Sequence, residues 1–336
     1  MKKFIVVAST LLLAIGFCAC SSQNTIQANP DSVTDSKALS KLLINDKINY
    51  LEGVKFRVKN KDSAGLPERT YTMHDSFKLN SKNLKVEVAP SRQGMENLNI
   101  SGSAQPTLSQ FDGVINKIKQ YTTGPIYIVD LRQESHALIN GDDISWYGKN
   151  NWANLGLTEE QVMRDENTRL KGLVGSDIDV YSKEKNDEDY DTKNSVHVDS
   201  VTTEAEVCKS LGVNYKRFAC TDHVWPSAQE IDNFIEFTKS LPQDAWLHFH
   251  CQQGSGRTAA FMAIYDMIKN PLIDIDTIVK RQALYDRAYL FQDSDDGYKD
   301  TLARERSEMT RNFYQYVQEN YKNNYIMTFS EWLSKK

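Results

Sequence analysis

Apolar and polar positions along the chain follow two rhythms. Leu108, Phe111, Ile115 and Ile118 recur at three- and four-residue spacing, which predicts a helix over 107–120. GPIYIVDLR (124–132) is continuously apolar at its centre and predicts a buried strand. Thr158, with Gln161 three residues on, has the form of a capping box and opens another helix. IDVYS (178–182) and SVHVDSV (195–201) read as short strands around a solvated acidic loop, NDEDYD. From Tyr215, YKRFACTD reads as a strand and HVWP as a turn. Ser227 and Glu230 then cap a helix whose stripe is Ile231, Phe234, Ile235 and Leu241. AWLHFH (245–250) is a buried strand, and RTAAFMAIYDMIKN a helix stopped by Pro271. MTRNFYQYVQENY (309–321) predicts a C-terminal helix with Phe313, Tyr316 and Val317 inward.

Strand and helix in alternation imply an α/β core with a mostly parallel central sheet flanked by helices. Residues 150–215 break the alternation. A small β-rich domain is expected there, with part of 47–100 as a candidate contributor.

Composition narrows the function classes. The 336 residues are 40% hydrophobic and 25% charged, ordinary for a globular protein. A net charge of −5 gives no global basic field for nucleic acid, so an anionic ligand would need a local basic pocket. At the N-terminus Lys2 and Lys3 precede FIVVASTLLLAIGF, too short for a comfortable membrane span, and residues 1–20 read as a signal peptide. Ala19, Cys20, Ser21 and Ser22 resemble a bacterial lipoprotein site with a lipid anchor at Cys20. Phe17 and Cys18 depart from that pattern, and plain secretion is the rival. The product is expected to be exported, at the cell envelope or beyond. Residues 21–45 begin polar and suit a tether, leaving 46–336 as the main domain. Cys208, Cys220 and Cys251 are an odd number without the spacing of a disulfide framework, and no Cys/His cluster has zinc spacing. No metal and no cofactor are expected.

HCQQGSGRT (250–258) concentrates the chemistry. It follows a buried strand and opens a helix, where an α/β sheet binds ligands and helix amides lack acceptors. Gly254 and Gly256 let the backbone of Gln252, Gln253 and Ser255 curl into a nest for anions. Arg257 offers a planar fork for two phosphate oxygens. Amides, helix dipole and arginine together favour the thiolate of Cys251, which can attack phosphorus and form a phosphocysteine. Thr258 can hydrogen-bond the sulfur. A plain strand-to-helix turn does not explain the thiol and the arginine together.

This loop resembles the signature of the cysteine-dependent protein-tyrosine-phosphatase superfamily. TDHVWP (221–226), LPQDAWLHFHC (241–251), IVDLRQESH (128–136), SWYG and WANLG (145–156) resemble its bacterial phytase-like members, over roughly 60–335. The resemblance implies a phosphatase domain beside a small partial β-barrel, and an inositol polyphosphate as the anionic small-molecule substrate. It implies that Asp222 is the general acid on a mobile loop. His223 either reaches substrate or packs, and Trp225 anchors the loop. Asp130 and Arg132 are expected in ion pairs that shape the site, while Glu134 and His136 stay open. GYKDTLARER (297–306) is similar to a family segment whose basic residues contact inositol phosphates, which places Lys299 and Arg306 there. Arg69 resembles a family arginine near the pocket. Asn151 stands where the family has an aspartate. The readings left are an inositol polyphosphate phosphatase, a phosphotyrosine or phosphoinositide phosphatase, and a non-catalytic phosphate-binding module. Oligomeric state is not readable.

Overall fold

The computed structural model describes residues 35–45, 54–182, 192–292 and 297–336. The signal peptide, Cys20, most of the polar linker and NDEDYD lie outside them. In chain order the elements are α1 (Lys37–Asn45), β1 (Lys55–Asn60), β2 (Tyr71–Thr72), β3 (Ile100–Ala104), α2 (Leu108–Ile118), β4 (Ile126–Asp130), β5 (His136–Ile139), β6 (Asp142–Tyr147), α3 (Glu159–Leu170) and β7 (Asp177–Ser182). They continue with β8 (Thr192–His197), β9 (Val201–Thr202), α4 (Glu204–Ser210), β10 (Asn214–Arg217), α5 (Ala228–Ser240), β11 (Trp246–Cys251), α6 (Gly256–Lys269), α7 (Ile275–Ala283), α8 (Gly297–Asn320) and α9 (Phe329–Leu333).

One sheet positions the loop. Its order is β10-β4-β11-β3-β2, parallel except for the short antiparallel edge β2. Every residue of β11 is buried, His248 and His250 included, as befits a central parallel strand covered on both faces. Phe218, Phe234, Phe249 and Phe261 join one face of this sheet to α5 and α6. Phe111, Ile115, Val207 and Trp246 join the other to α2 and α4. Each such side chain contributes roughly 1.5–3 kcal/mol on burial. Residues 257–267 of α6 are all buried, so the start of that helix is held by the core.

The second sheet has the order β8-β7-β1-β6-β5-β9; it is antiparallel except between β1 and β7, and it is open at β8 and β9. It does not begin at residue 150. β5 and β6 form a hairpin over 136–147, and β1 comes from 55–60. The turn is Asn140-Gly141, both with positive φ (52° and 87°), the residue pair that favours a two-residue hairpin turn. Three further boundaries differ from the pattern. The 215–222 strand ends at Arg217. The C-terminal helix starts at Gly297 rather than 309: its first half is mostly polar and, among its described side chains, buries only Leu302 and Ala303. Residues 37–45 are not open tether. They form α1, whose Ala38, Leu39 and Leu42 are buried against Trp152, Leu155, Val224 and Leu302.

Candidate active site

β11 delivers Cys251 to the carboxyl edge of the parallel sheet, and α6 begins five residues later. Cys251 is 3% exposed, and the Thr258 hydroxyl donates to its Sγ at 3.3 Å. The two loop glycines differ in kind. Gly254 has φ +64°, and a Cβ there would stand 2.3–2.4 Å from backbone atoms of Ser103 and Ala104. A Cβ at Gly256 meets nothing within 4 Å. Gly254→Ala is therefore expected to cost about 1–3 kcal/mol in urea unfolding and to cut turnover at least about tenfold. Gly256→Ala should leave both nearly unchanged, and equal effects would contradict this geometry.

Arg257 is buried and over-determined. Its Nη1 donates to Glu134 Oε2 at 2.7 Å and to the Cys220 carbonyl at 3.1 Å. Its Nη2 donates to Glu134 Oε1 at 3.1 Å and lies 3.2 Å from Asp222 Oδ2. Glu134 also accepts from Arg132 Nε at 2.9 Å and Asn151 Nδ2 at 2.8 Å. Burial would push this carboxyl up, but Arg257 and Arg132 outweigh it and hold it far below the usual carboxylate range. Arg132 pairs further with Asp143 at 3.1 Å, whereas Asp130 pairs with Arg217 at 3.2 Å. Glu134, left open by the sequence, is thus the carboxylate that aims Arg257.

Asp222 sits across the cavity on the turn after β10. Asn151 Nδ2 reaches its Oδ2 at 3.0 Å, and Trp152 Nε1 donates to its carbonyl at 3.0 Å. Burial raises its carboxyl, yet Arg257, His223 and the Asn151 amide prevail and its pKa is lowered. His223 takes φ +68° and donates its backbone N–H to Asp222 Oδ1 at 3.0 Å. Trp225 is 5% exposed.

Cys251, Arg257, Asp222, His223 and Asn151 line a cavity of about 240 Å³ with Arg57, Tyr147, Gln252, Gln253, Ser255 and Arg306. Arg306 comes from α8, and its Nε has no hydrogen-bond partner among the described residues. Lys299 is not among the lining residues. Two of the lining residues come from the second sheet: Arg57 stands over the Tyr147 ring at 4.4 Å, carried in by the pairing of β1 with β6. Arg69 lines a separate cavity with Lys59, Lys61, Gln252 and Gln253, and braces the loop by donating to the Gln253 carbonyl at 2.9 Å. Behind the loop Arg287 is wholly buried, donating to the Gly102 carbonyl at 2.9 Å, and burial pushes it down to about 10.

Beneath β11 lies a buried polar cluster. Asp130, His136 and Glu204 bring ligand-type atoms within 4.8 Å of one another, a grouping invisible in sequence because Glu204 is far from the others. Here His136 Nε2 is 2.7 Å from Glu204 Oε1, Glu204 Oε2 is 3.0 Å from His250 Nε2, and Arg217 and the Tyr215 hydroxyl occupy Asp130. The acidic groups are already engaged with protein cations and donors. The described cysteines, Cys208, Cys220 and Cys251, are all unpaired.

Glu230, on α5 below the Asp222 turn, is raised to about 7 by burial and by Glu159. A raised carboxylate contributes stability below its unfolded pKa and loses it as pH rises through the folded one. Wild-type stability should therefore fall by up to roughly 3 kcal/mol between about pH 4.5 and 7 from this group. Glu230→Gln is expected to flatten that fall in urea melts at pH 5 and 8; an unchanged slope would exclude it.

The family model PTPlike_phytase, described as "Inositol hexakisphosphate", matches residues 129–269, which hold Glu134, Asn151, Asp222 and the whole Cys251 loop. The tandemly repeated protein-tyrosine-phosphatase-like phytase of Mitsuokella multacida superposes with TM-score 0.80 at 38% identity, over 88% of this chain and 52% of that one. Over residues 129–269 the chain matches the protein-tyrosine-phosphatase-like phytase family, and its fold is similar to that of bacterial members. The myo-inositol phosphatase of this type from the same organism, in complex with myo-inositol-(1,3,4,5)-tetrakisphosphate, matches with TM-score 0.78 at 37% identity, over 91% of this chain and 53% of that one. A phytase of the same type from Bdellovibrio bacteriovorus matches with TM-score 0.67 at 29% identity, over 85% of this chain and 97% of that one. Among curated proteins, effector protein hopD2 of Pseudomonas syringae pv. tomato is 28% identical over 270 residues, 77% of this chain and 56% of its own length. The chain thus spans about half the length of the Mitsuokella proteins and of hopD2. Among the described residues no helix is long and apolar enough to cross a membrane.

Proposed function

We propose that this chain hydrolyses phosphomonoesters of myo-inositol polyphosphates through a phosphocysteine intermediate. The observation that carries the reading is the convergence of Cys251, Arg257 and Asp222 in one cavity whose wall also bears Arg57 and Arg306. The ester phosphate occupies the 252–257 loop and two of its oxygens engage Arg257. Cys251 Sγ attacks phosphorus as the ester P–O bond breaks, and Asp222 gives its proton to the departing alkoxide oxygen. Water then attacks phosphorus and loses a proton to Asp222, while the S–P bond breaks and Thr258 hydrogen-bonds the leaving sulfur. Before substrate binds, Arg257 and Asn151 hold Asp222 as a carboxylate. A phosphate dianion engaging Arg257 offsets that attraction and adds repulsion, which raises the Asp222 pKa when a proton donor is needed.

Arg57, Arg306 and the neutral Gln252 and Gln253 would hold the phosphates not being cleaved. The second sheet serves as the substrate wall in this reading, since it supplies Arg57 and Tyr147. Lys299 is proposed as a more distant contact and Arg69 as a brace of the loop. Export, through a lipid at Cys20 or by secretion, belongs to the same reading and rests on residues 1–22. Purified protein is expected to release phosphate from myo-inositol hexakisphosphate at least about tenfold more efficiently than from a phosphotyrosine peptide, with chelator present. Preference for the peptide would reverse the substrate assignment, and loss of activity on chelation would contradict a metal-independent reaction.

A further inference from the structure

The short segment ahead of the main domain touches the parts of the site that come from far along the chain. The Asp35 carboxylate accepts from the backbone N–H of Ala228 at 2.9 Å, the first residue of α5. That N–H has no acceptor within its own helix, and the turn bearing Asp222 runs directly into it. On the other side Glu305 of α8 accepts from the Ala38 N–H at 3.0 Å and from the Ser36 hydroxyl, which itself accepts from Leu39 N at 3.0 Å. Each partner therefore caps a helix of the other: Asp35 caps α5, and Glu305 caps α1.

The apolar face of α1 is just as selective. Leu39 is fully buried in a cluster with Trp152, Leu155, Val224 and Leu302. Trp152 holds the Asp222 carbonyl, and Val224 is two residues beyond Asp222. Leu302 is one turn before Arg306 on α8, and Glu305 is its neighbour in sequence. A nine-residue helix is marginal alone in water, so α1 forms because it docks.

We infer that residues 35–43 are a brace that sets the Asp222 turn and α8 relative to each other, with Asp35, Leu39 and Glu305 as positioning residues. The catalytic consequence rests on the proposed function; the mechanical one does not. Loosening the brace would displace the proton donor and the basic rim together while leaving Cys251, Arg257 and Glu134 in place, because those are held by β11, α6 and one another.

The test uses the full chain with Asp35→Ala, Asp35→Asn and Leu39→Ala. Backbone hydrogen exchange at 221–228 and in the first turns of α8 is expected to quicken about tenfold in Asp35→Ala and Leu39→Ala, with β11 unchanged. Asp35→Asn, whose amide oxygen still accepts from Ala228, should restore slow exchange. On myo-inositol hexakisphosphate, kcat should fall about tenfold and KM rise several-fold in the two disrupting variants. An aryl phosphate with a good leaving group, which needs no proton donor, should be turned over within about twofold of wild type. Unchanged exchange at 221–228, or equal losses on both substrates with faster exchange throughout, overturns the brace. Because exchange does not depend on turnover, a wild-type protein that failed to hydrolyse either ester would remove the proposed function without deciding the brace's mechanics.

Discussion

Cys251→Ser is expected to abolish phosphate release, by about 10⁴-fold or more, while inositol polyphosphate still binds. The substitution exchanges one atom at the floor of the cavity. Arg257 keeps its two bonds to Glu134, and the loop keeps its glycine at 254, so the anion cradle survives. What is lost is the nucleophile: a serine hydroxyl is essentially un-ionised near neutral pH, whereas the loop favours a thiolate. Removing a nucleophile costs far more than removing any one binding contact. Phosphate release measured beside calorimetric binding of myo-inositol hexakisphosphate checks both halves. Turnover within about tenfold of wild type would end the phosphocysteine mechanism.

Asp222→Asn should slow alkyl esters such as inositol phosphates by about 10²–10⁴-fold and aryl esters with acidic leaving groups far less, since only the former need a proton in the transition state. The amide can still take the Asn151 and Arg257 positions in shape, though it loses the charge that Arg257 attracts. The pH profile carries a second signature. In the unliganded protein the Asp222 carboxyl lies below its ordinary value, so the protonated fraction falls about tenfold for each pH unit above it. The kcat/KM of wild type on an alkyl ester should decline on its alkaline side, and that limb should vanish in Asp222→Asn. A uniform loss across leaving groups with the limb intact would remove Asp222 as the acid.

The sequence showed the chemistry best where strand, loop and helix are contiguous. His250 to Thr258 is such a run, so its residue types alone point to an anion site and a thiol. Long-range assembly hid the rest. Arg57 reaches the cavity because β1 pairs with β6, a partnership between residues nearly a hundred positions apart. Glu134 earns its place through two arginines that only the fold brings together. The resemblance places Lys299 and Arg306 together, seven residues apart and so on one helix face. Seven residues also advance about 10 Å along the axis, and only Arg306 lines the cavity. Other signals are local residue pairs. Asn140-Gly141 marks the hairpin, and Thr203 with Glu206 and Thr328 with Glu331 box the starts of α4 and α9. These helices are short, with too few apolar repeats to register as periodic.

The burial of the other thiols has a practical consequence. Cys208 and Cys220 are sunk in the core, and burial pushes both thiols up, so neither is nucleophilic near neutral pH. Of the three described cysteines Cys251 alone lines the candidate site. An alkylating reagent shaped like a small anion should therefore combine with the folded main domain one to one. Its incorporated mass then counts competent molecules in any preparation, independently of which phosphate ester the protein prefers.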